Sequence, residues 1–187
     1  MLTAGQTTPT SYFVDAAERE KKGGQAFYSC LEYNSEIYFG SDNGRVWCYQ
    51  KENGQFQLQN LPASSRIVSI NSVEGNELIF TTAKDGFFSY QPKTKALEHF
   101  PASRFPNASI HSVYVDKASE VWFEQHIPGT VVHFNPRTRI LKQEKVPVEP
   151  TSTDRSRPAF HIHEDINGVL WVHPYGGGFS YFDRKSN

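Results

Sequence analysis

An all-β fold built from β-propeller blades is predicted by three features of this sequence. Four segments share one strand–turn–strand–turn–strand order, matched positions recur every 41 to 49 residues, and the strands are apolar on both faces. The expected architecture is about four four-stranded antiparallel meander sheets, forming a segment of a larger propeller. The clearest copy, residues 159–183, reads AFHIHEDINGVLWVHPYGGGFSYFD. It holds an alternating apolar strand, a turn at 165–168, a strand at 169–172, a glycine-rich turn at 176–178 and an aromatic strand at 179–182. Earlier copies occupy residues 27–49, 67–92 and 110–136.

The anchors keep register through these copies. Glu36, Glu77 and Glu120 stand 41 and 43 residues apart, and Trp122 and Trp171 stand 49 apart. Gly44, Gly86, Gly129 and Gly178 fill one repeat position; Ser29, Ser69, Ser112 and His161 fill another. A fourth, outer strand follows each of the first three copies, at 56–58, 97–100 and 140–142, and the last copy stops before its own. The blades are therefore placed at 26–60, 66–100, 109–143 and 158–187. Residues 1–25 form an N-terminal segment, with a strand at 12–14 and a loose helix at 15–22. A spacing near 40–50 residues with four strands is that of a propeller blade. In Leu78-Ile79-Phe80 and Val121-Trp122-Phe123, neighbours point to opposite faces and are all apolar, as sheets covered on both sides require. A β-sandwich is the alternative, which four copies in register disfavour.

Composition excludes several classes. Lys+Arg 19 against Asp+Glu 20 gives a net charge of -1, too balanced for a dedicated nucleic-acid binder or a polybasic membrane-surface protein. An aromatic content of 14% is too high for disorder. No run approaches the roughly 20 apolar residues that span a bilayer, and residues 1–25 lack an apolar signal-peptide core. Cys30 and Cys48 fall on the first and third strands of one blade, about 9–10 Å apart, beyond disulfide reach. Free, buried thiols are expected.

The last copy, with Glu164, Asp165, Gly168, Leu170, Trp171, Gly177, Gly178, Phe179, Tyr181 and Asp183, closely resembles the two-component regulator propeller repeat. The third copy keeps Asp116, Trp122 and Gly129; the first two are more degenerate, held by Gly40 with Gly44 and by Asp85 with Gly86. The resemblance covers residues 26–187. One departure is Val172-His173-Pro174-Tyr175, where the family has a small W-x-G-T loop. The resemblance implies the periplasmic sensor half of a hybrid two-component histidine kinase, responding to oligosaccharides, or less often a kinase-free role in secretion or cell-surface assembly. With neither kinase nor receiver domain in 187 residues, the chain is expected to be a piece of a longer sensor. Three arrangements are open: an arc of a larger ring, which is favoured, a four-blade ring sealed by residues 12–14, or a partial ring completed by a second copy. An open arc would self-associate through its uncovered blade faces.

In a propeller the second-to-third-strand loops share one rim with the loops joining successive blades. Here these are residues 41–44, 82–86, 125–129 and 173–177, with joining loops at 62–66, 101–109 and 145–158. Sugar recognition needs amide, carboxylate or guanidinium groups beside an aromatic ring. Arg66, Lys84, Asp85, Arg104, His126, His173 and Tyr175 are the candidate ligand-binding residues, with Asp42 and Asn43 nearby. Asp42-Asn43-Gly44 and Asp85-Gly86 equally suit plain hairpin turns. His161 and His163 project from one strand face about 7 Å apart, but their positions hold Ser and Tyr or Asn in other copies, which marks packing; no metal or cofactor is expected. Trp47, Trp122 and Trp171 are expected in the core. No G-x-S-x-G, H-E-x-x-H or phosphate loop occurs, so a non-catalytic sensor with a glycan ligand or another propeller as partner leads. A scaffold for protein–protein interaction is the alternative, and a propeller lyase or glycosidase the weaker third.

Overall fold

The computed structural model describes residues 26–125, 130–146, 160–174 and 179–182. The N-terminal strand and helix expected at 12–14 and 15–22 lie outside the described residues, as do Gly129, Gly177, Gly178 and most of the 145–158 loop. Four separate antiparallel sheets make up the described chain. The first is β1 (Phe27–Tyr33), β2 (Glu36–Ser41), β3 (Val46–Gln50) and β4 (Gln55–Gln59), paired in that order. The second is β5 (Ile67–Val73), β6 (Glu77–Thr82), β7 (Phe87–Gln91) and β8 (Ala96–Phe100). The third is β9 (Ile110–Val115), β10 (Val121–Gln125), β11 (Thr130–Asn135) and β12 (Ile140–Lys145). The last has three described strands, β13 (Phe160–Glu164), β14 (Leu170–Pro174) and β15 (Ser180–Phe182). These are propeller blades; a sandwich would pair the sheets as two layers, whereas here they stack one after another.

The second and third blades bury both faces of their middle strands, and every seam between blades is an apolar layer. Between blades one and two lie Tyr38, Val46, Cys48, Ile67, Leu78, Phe80, Phe88 and Tyr90. Between two and three the layer is rich in phenylalanine: Phe87 stacks on Phe100 at 4.5 Å and touches Phe123 at 5.0 Å and Phe134 at 4.8 Å. Between three and four, Trp122 packs on Phe182 beside Val131, Ile162, Leu170 and Val172. The first strands of successive blades touch, β1 on β5 and β5 on β9, and so form the inner edge of the stack.

The acidic residues that close the innermost strands are turn formers. The Asp116 carboxylate accepts the N–H groups of Ala118 and Glu120 and the indole N–H of Trp122 at 2.6 Å. Asp165 repeats this with Asn167, Val169 and Trp171. One carboxylate thus satisfies a turn and orients a tryptophan on the next strand, which explains the six-residue Asp-to-Trp spacing.

Two expectations need correction. Trp122 is 3% exposed, but Trp171 at the same repeat position is 37% exposed. Tyr38, Ile79 and Trp122 at that position each face the following blade; Trp171 faces outward from the last one, where no described blade covers it. Cys48 is buried and its thiol is pushed up to about 11, first by burial and then by the Glu36 carboxylate. Cys30, however, is exposed. It lies opposite Phe39, on the face turned away from blade two, whereas Cys48 lies opposite Tyr38 on the covered face. The two thiols are free, and they project from opposite sides of one sheet.

The glycines of the second-to-third-strand loops show what the loop rim demands. Gly44 and Gly86 have φ of +81° and +87°, and a Cβ at Gly44 would sit 2.5 Å from the Ala63 carbonyl oxygen. At Gly86 the obstruction is the Phe100 carbonyl and the backbone of residues 101 and 102. Each joining loop therefore lies directly on the glycine of the blade it leaves. Gly86→Ala is expected to cost about 2–3 kcal/mol through left-handed strain and backbone collision, read as a lower urea midpoint at unchanged m-value.

Candidate functional site

The rim carrying the joining loops is built by backbone contacts between consecutive segments. The N–H of Ala83 donates to the Arg66 carbonyl at 2.8 Å, and the N–H of Ile110 donates to the Ala83 carbonyl at 3.1 Å. The N–H of Lys84 donates to Ser65 Oγ at 3.0 Å. Residues 60–66, 82–86 and 101–109 therefore form one continuous surface, with a 3-10 turn over Ala102–Arg104 at its far side.

Asp85 anchors this surface. Its carboxylate accepts the backbone N–H groups of Ser64 and Ser65 at 2.9 and 2.8 Å, and their hydroxyls at 3.0 and 2.7 Å. Burial alone would raise its pKa, but these hydrogen bonds from Ser65 and Ser64 outweigh burial and hold it below the usual carboxylate value. The backbone carbonyl of Asp85 also meets His99 Nε2 at 2.8 Å.

The three described cations among the candidates belong to these same loops. Arg66, Lys84 and Arg104 are all exposed. The Arg66 guanidinium lies 4.9 Å from the centre of the Tyr28 ring, and that of Arg104 lies 5.1 Å from the Phe100 ring. Tyr28 is 56% exposed and was not among the sequence-derived candidates. Its position follows from a ladder irregularity: Phe27 pairs with Ser41 and Ser29 with Gly40, leaving Tyr28 as the extra residue of a β-bulge. Val68 in β5 and His111 in β9 occupy the same place in their blades. The bulge turns a residue that alternation would assign to a seam out to the rim.

His173 sits apart from this group. It lies directly opposite His161 in the last blade, and both are exposed. His126 and Tyr175 lie outside the described residues. His161 Nδ1 is 3.7 Å from Glu124 Oε1, an oxygen that also accepts the N–H of Ile162 at 3.2 Å. Burial raises the Glu124 pKa, and His161, the Ile162 N–H and Ser112 oppose it. The pair thereby fastens blade four to blade three. Among the described residues no three ligating side chains converge on a metal position, and no helix is long and apolar enough to cross a membrane.

No family model and no curated protein matches the chain. Solved structures do. The extracellular domain of the hybrid two component system BT3049 from B. thetaiotaomicron matches with a TM-score of 0.66 at 15% identity, over 94% of this chain and 25% of that one. Virginiamycin B lyase from Staphylococcus aureus matches with a TM-score of 0.66 at 18% identity, over 89% of this chain and 55% of the lyase. The extracellular domain of BT4673, another hybrid two component system of B. thetaiotaomicron, matches at 0.59 and 19% identity, over 85% of this chain and 22% of that one. At these identities the likeness is one of fold. The chain spans a quarter or less of the two sensor domains and just over half of the lyase.

Asp85→Ala is expected to lower stability by about 2 kcal/mol at pH 7, because four donors lose a charged acceptor. The depressed carboxyl contributes only above its unfolded pKa of about 3.9, and that contribution is lost as pH falls through the lower folded value. The gap between variant and wild type therefore closes on acidification, which urea melts at neutral and acid pH will read.

Proposed function

We propose that this chain is a non-catalytic, periplasmic propeller segment of a two-component sensor, belonging to an arc of a larger ring. It binds an oligosaccharide-type ligand, or relays its binding, to a histidine kinase outside these residues. The observation that carries this reading is the partly exposed Tyr28 ring, with the Arg66 guanidinium over it, on a rim of hydrogen-bonded loops. A ring face with adjacent hydrogen-bond donors is what a pyranose requires. The fold shared with extracellular domains of hybrid two-component systems supports it. The lyase neighbour keeps an enzymatic role in view, but among the described carboxylate–histidine contacts Glu124 with His161 joins two blades, and His133 with Glu120 and Glu144 lies within the third sheet. Titration of the chain with an oligosaccharide panel should give saturable binding to at least one member. Tyr28→Ala should then weaken it about tenfold or more while the melting temperature stays put. Binding unaffected by Tyr28→Ala would remove the rim from the reading.

A second role, as an interaction module, is favoured by the outer face of the last blade. Trp171, Phe179 at 75% and Tyr181 at 63% exposure form an uncovered aromatic surface. Phe179 and Tyr181 rings lie 6.3 and 5.7 Å from that of Trp171. The occupant we propose is a second copy of the chain, because the equivalent faces of the first three blades are each covered by another blade. Sedimentation should show concentration-dependent association that Trp171→Glu abolishes; a monomer at every concentration would sink this role.

A further inference from the structure

The charge on the loop rim narrows the ligand class. Arg66, Lys84 and Arg104 hold no carboxylate among the described residues. At the opposite rim several cations are tied into the fold, and Lys95 there lies over the Tyr90 ring. Arg137 reaches Glu74 at 2.5 Å, Arg139 reaches Glu77 at 2.7 Å and also Glu98, Lys51 pairs with Glu32, and Lys117 Nζ donates to the Asp165 carbonyl at 2.6 Å. Asp85, next to Lys84 in the chain, is turned into the joining loop and occupied by four serine donors, while Asp42 lies exposed in the hairpin of the preceding blade. Arg66 and Arg104 have ring contacts but no ion pair, and like charges repel where they approach within a Debye length of about 8–10 Å.

The arrangement suits an acceptor-only ligand. Arginine and lysine side chains are donors without acceptor capacity, whereas neutral sugar hydroxyls both donate and accept. Carboxylate and sulfate groups only accept, and they match a guanidinium edge in bidentate fashion. The rings of Tyr28 and Phe100 hold the faces of Arg66 and Arg104 and leave the N–H edges available. The shared backbone of residues 65–66, 83–84 and 100–102 fixes the bases of the three side chains relative to one another.

We infer that the saccharide bound at this rim is acidic, its carboxylate or sulfate groups received by Arg66, Lys84 and Arg104 while a sugar ring lies against Tyr28. The inference rests on the rim being the saccharide site. The test is calorimetric titration of the chain with four probes: tetragalacturonate, its carboxyl-reduced neutral counterpart, a chondroitin sulfate tetrasaccharide and a short single-stranded DNA. At least one acidic tetrasaccharide should bind, several-fold more weakly as salt is raised, and at least tenfold more tightly than the neutral counterpart. Preference between the uronate and the sulfate ester identifies the anionic group. Arg66→Gln, Lys84→Gln and Arg104→Gln should each cost about fivefold or more in affinity at unchanged melting temperature and unchanged binding of any neutral sugar. Equal or tighter binding of the neutral tetrasaccharide overturns the acidic assignment and leaves the saccharide reading standing. Binding of no saccharide overturns both, and DNA binding as tight as the acidic sugars shows a nonselective polyanion surface and overturns the inference.

Discussion

Each sheet of this chain is apolar on both faces, so each needs a neighbour on either side before it is stable. That constraint organises everything else. The middle strands β2, β3, β6, β7, β10 and β11 carry the load, and side chains such as Phe80, Phe87 and Phe123 are fully buried between blades. Burying a phenylalanine is worth about 1.5–3 kcal/mol, so an uncovered blade loses several such contributions. The same requirement explains the exposed aromatic face around Trp171. The residue is what the repeat demands, and the described blades supply nothing to cover it.

Stacking flat faces leaves the ends of the strands to be reconciled. Each joining loop must pass from an outer strand to the inner strand of the next blade, close over the hairpin it leaves. Gly44 and Gly86 permit this approach, and Asp85 fastens the loop that arrives over it. A rim assembled from mutually hydrogen-bonded loops holds exposed side chains at fixed spacing, as recognition requires. The opposite rim uses its charges to tie blades together, Arg139 bridging from the third blade to Glu77, Ser89 and Glu98 of the second. Arg66, Lys84 and Arg104 on the loop rim instead face solvent.

The fold was legible because propeller packing writes itself into periodicity. The paired apolar parities of Leu78-Ile79-Phe80, the outer strands and the Asp116–Trp122 spacing all have direct structural counterparts. Exposure at the two ends was not legible. A repeat position predicts the face on which a side chain lies, as it does for Trp171 and Cys30, but not whether that face has a neighbour. Of the candidate site, Arg66, Lys84 and Arg104 were legible as polar groups in loops, and the structure brings those loops into contact. The role of Asp85 as anchor was visible only as a turn signal, because its serine donors come from a loop 20 and 21 residues earlier.

Tyr28 shows most clearly why sequence alone falls short at a rim. Strict alternation assigns Phe27, Ser29 and Leu31 to one face and Tyr28, Cys30 and Glu32 to the other. The bulge between Phe27 and Ser29 breaks that count at its first step and frees Tyr28 from both faces. The irregularity recurs at Val68 and His111, so it belongs to the blade plan and not to one residue. Its origin is geometric: a strand entering from a loop that crosses the preceding hairpin must twist sharply before it joins the ladder, and an extra residue absorbs the twist. Each of the first three blades thereby offers one extra side chain at the rim end of its innermost strand, whereas β13 pairs with β14 in continuous register. Tyrosine, valine and histidine fill it in the first three blades, so the position tolerates side chains of very different size and polarity.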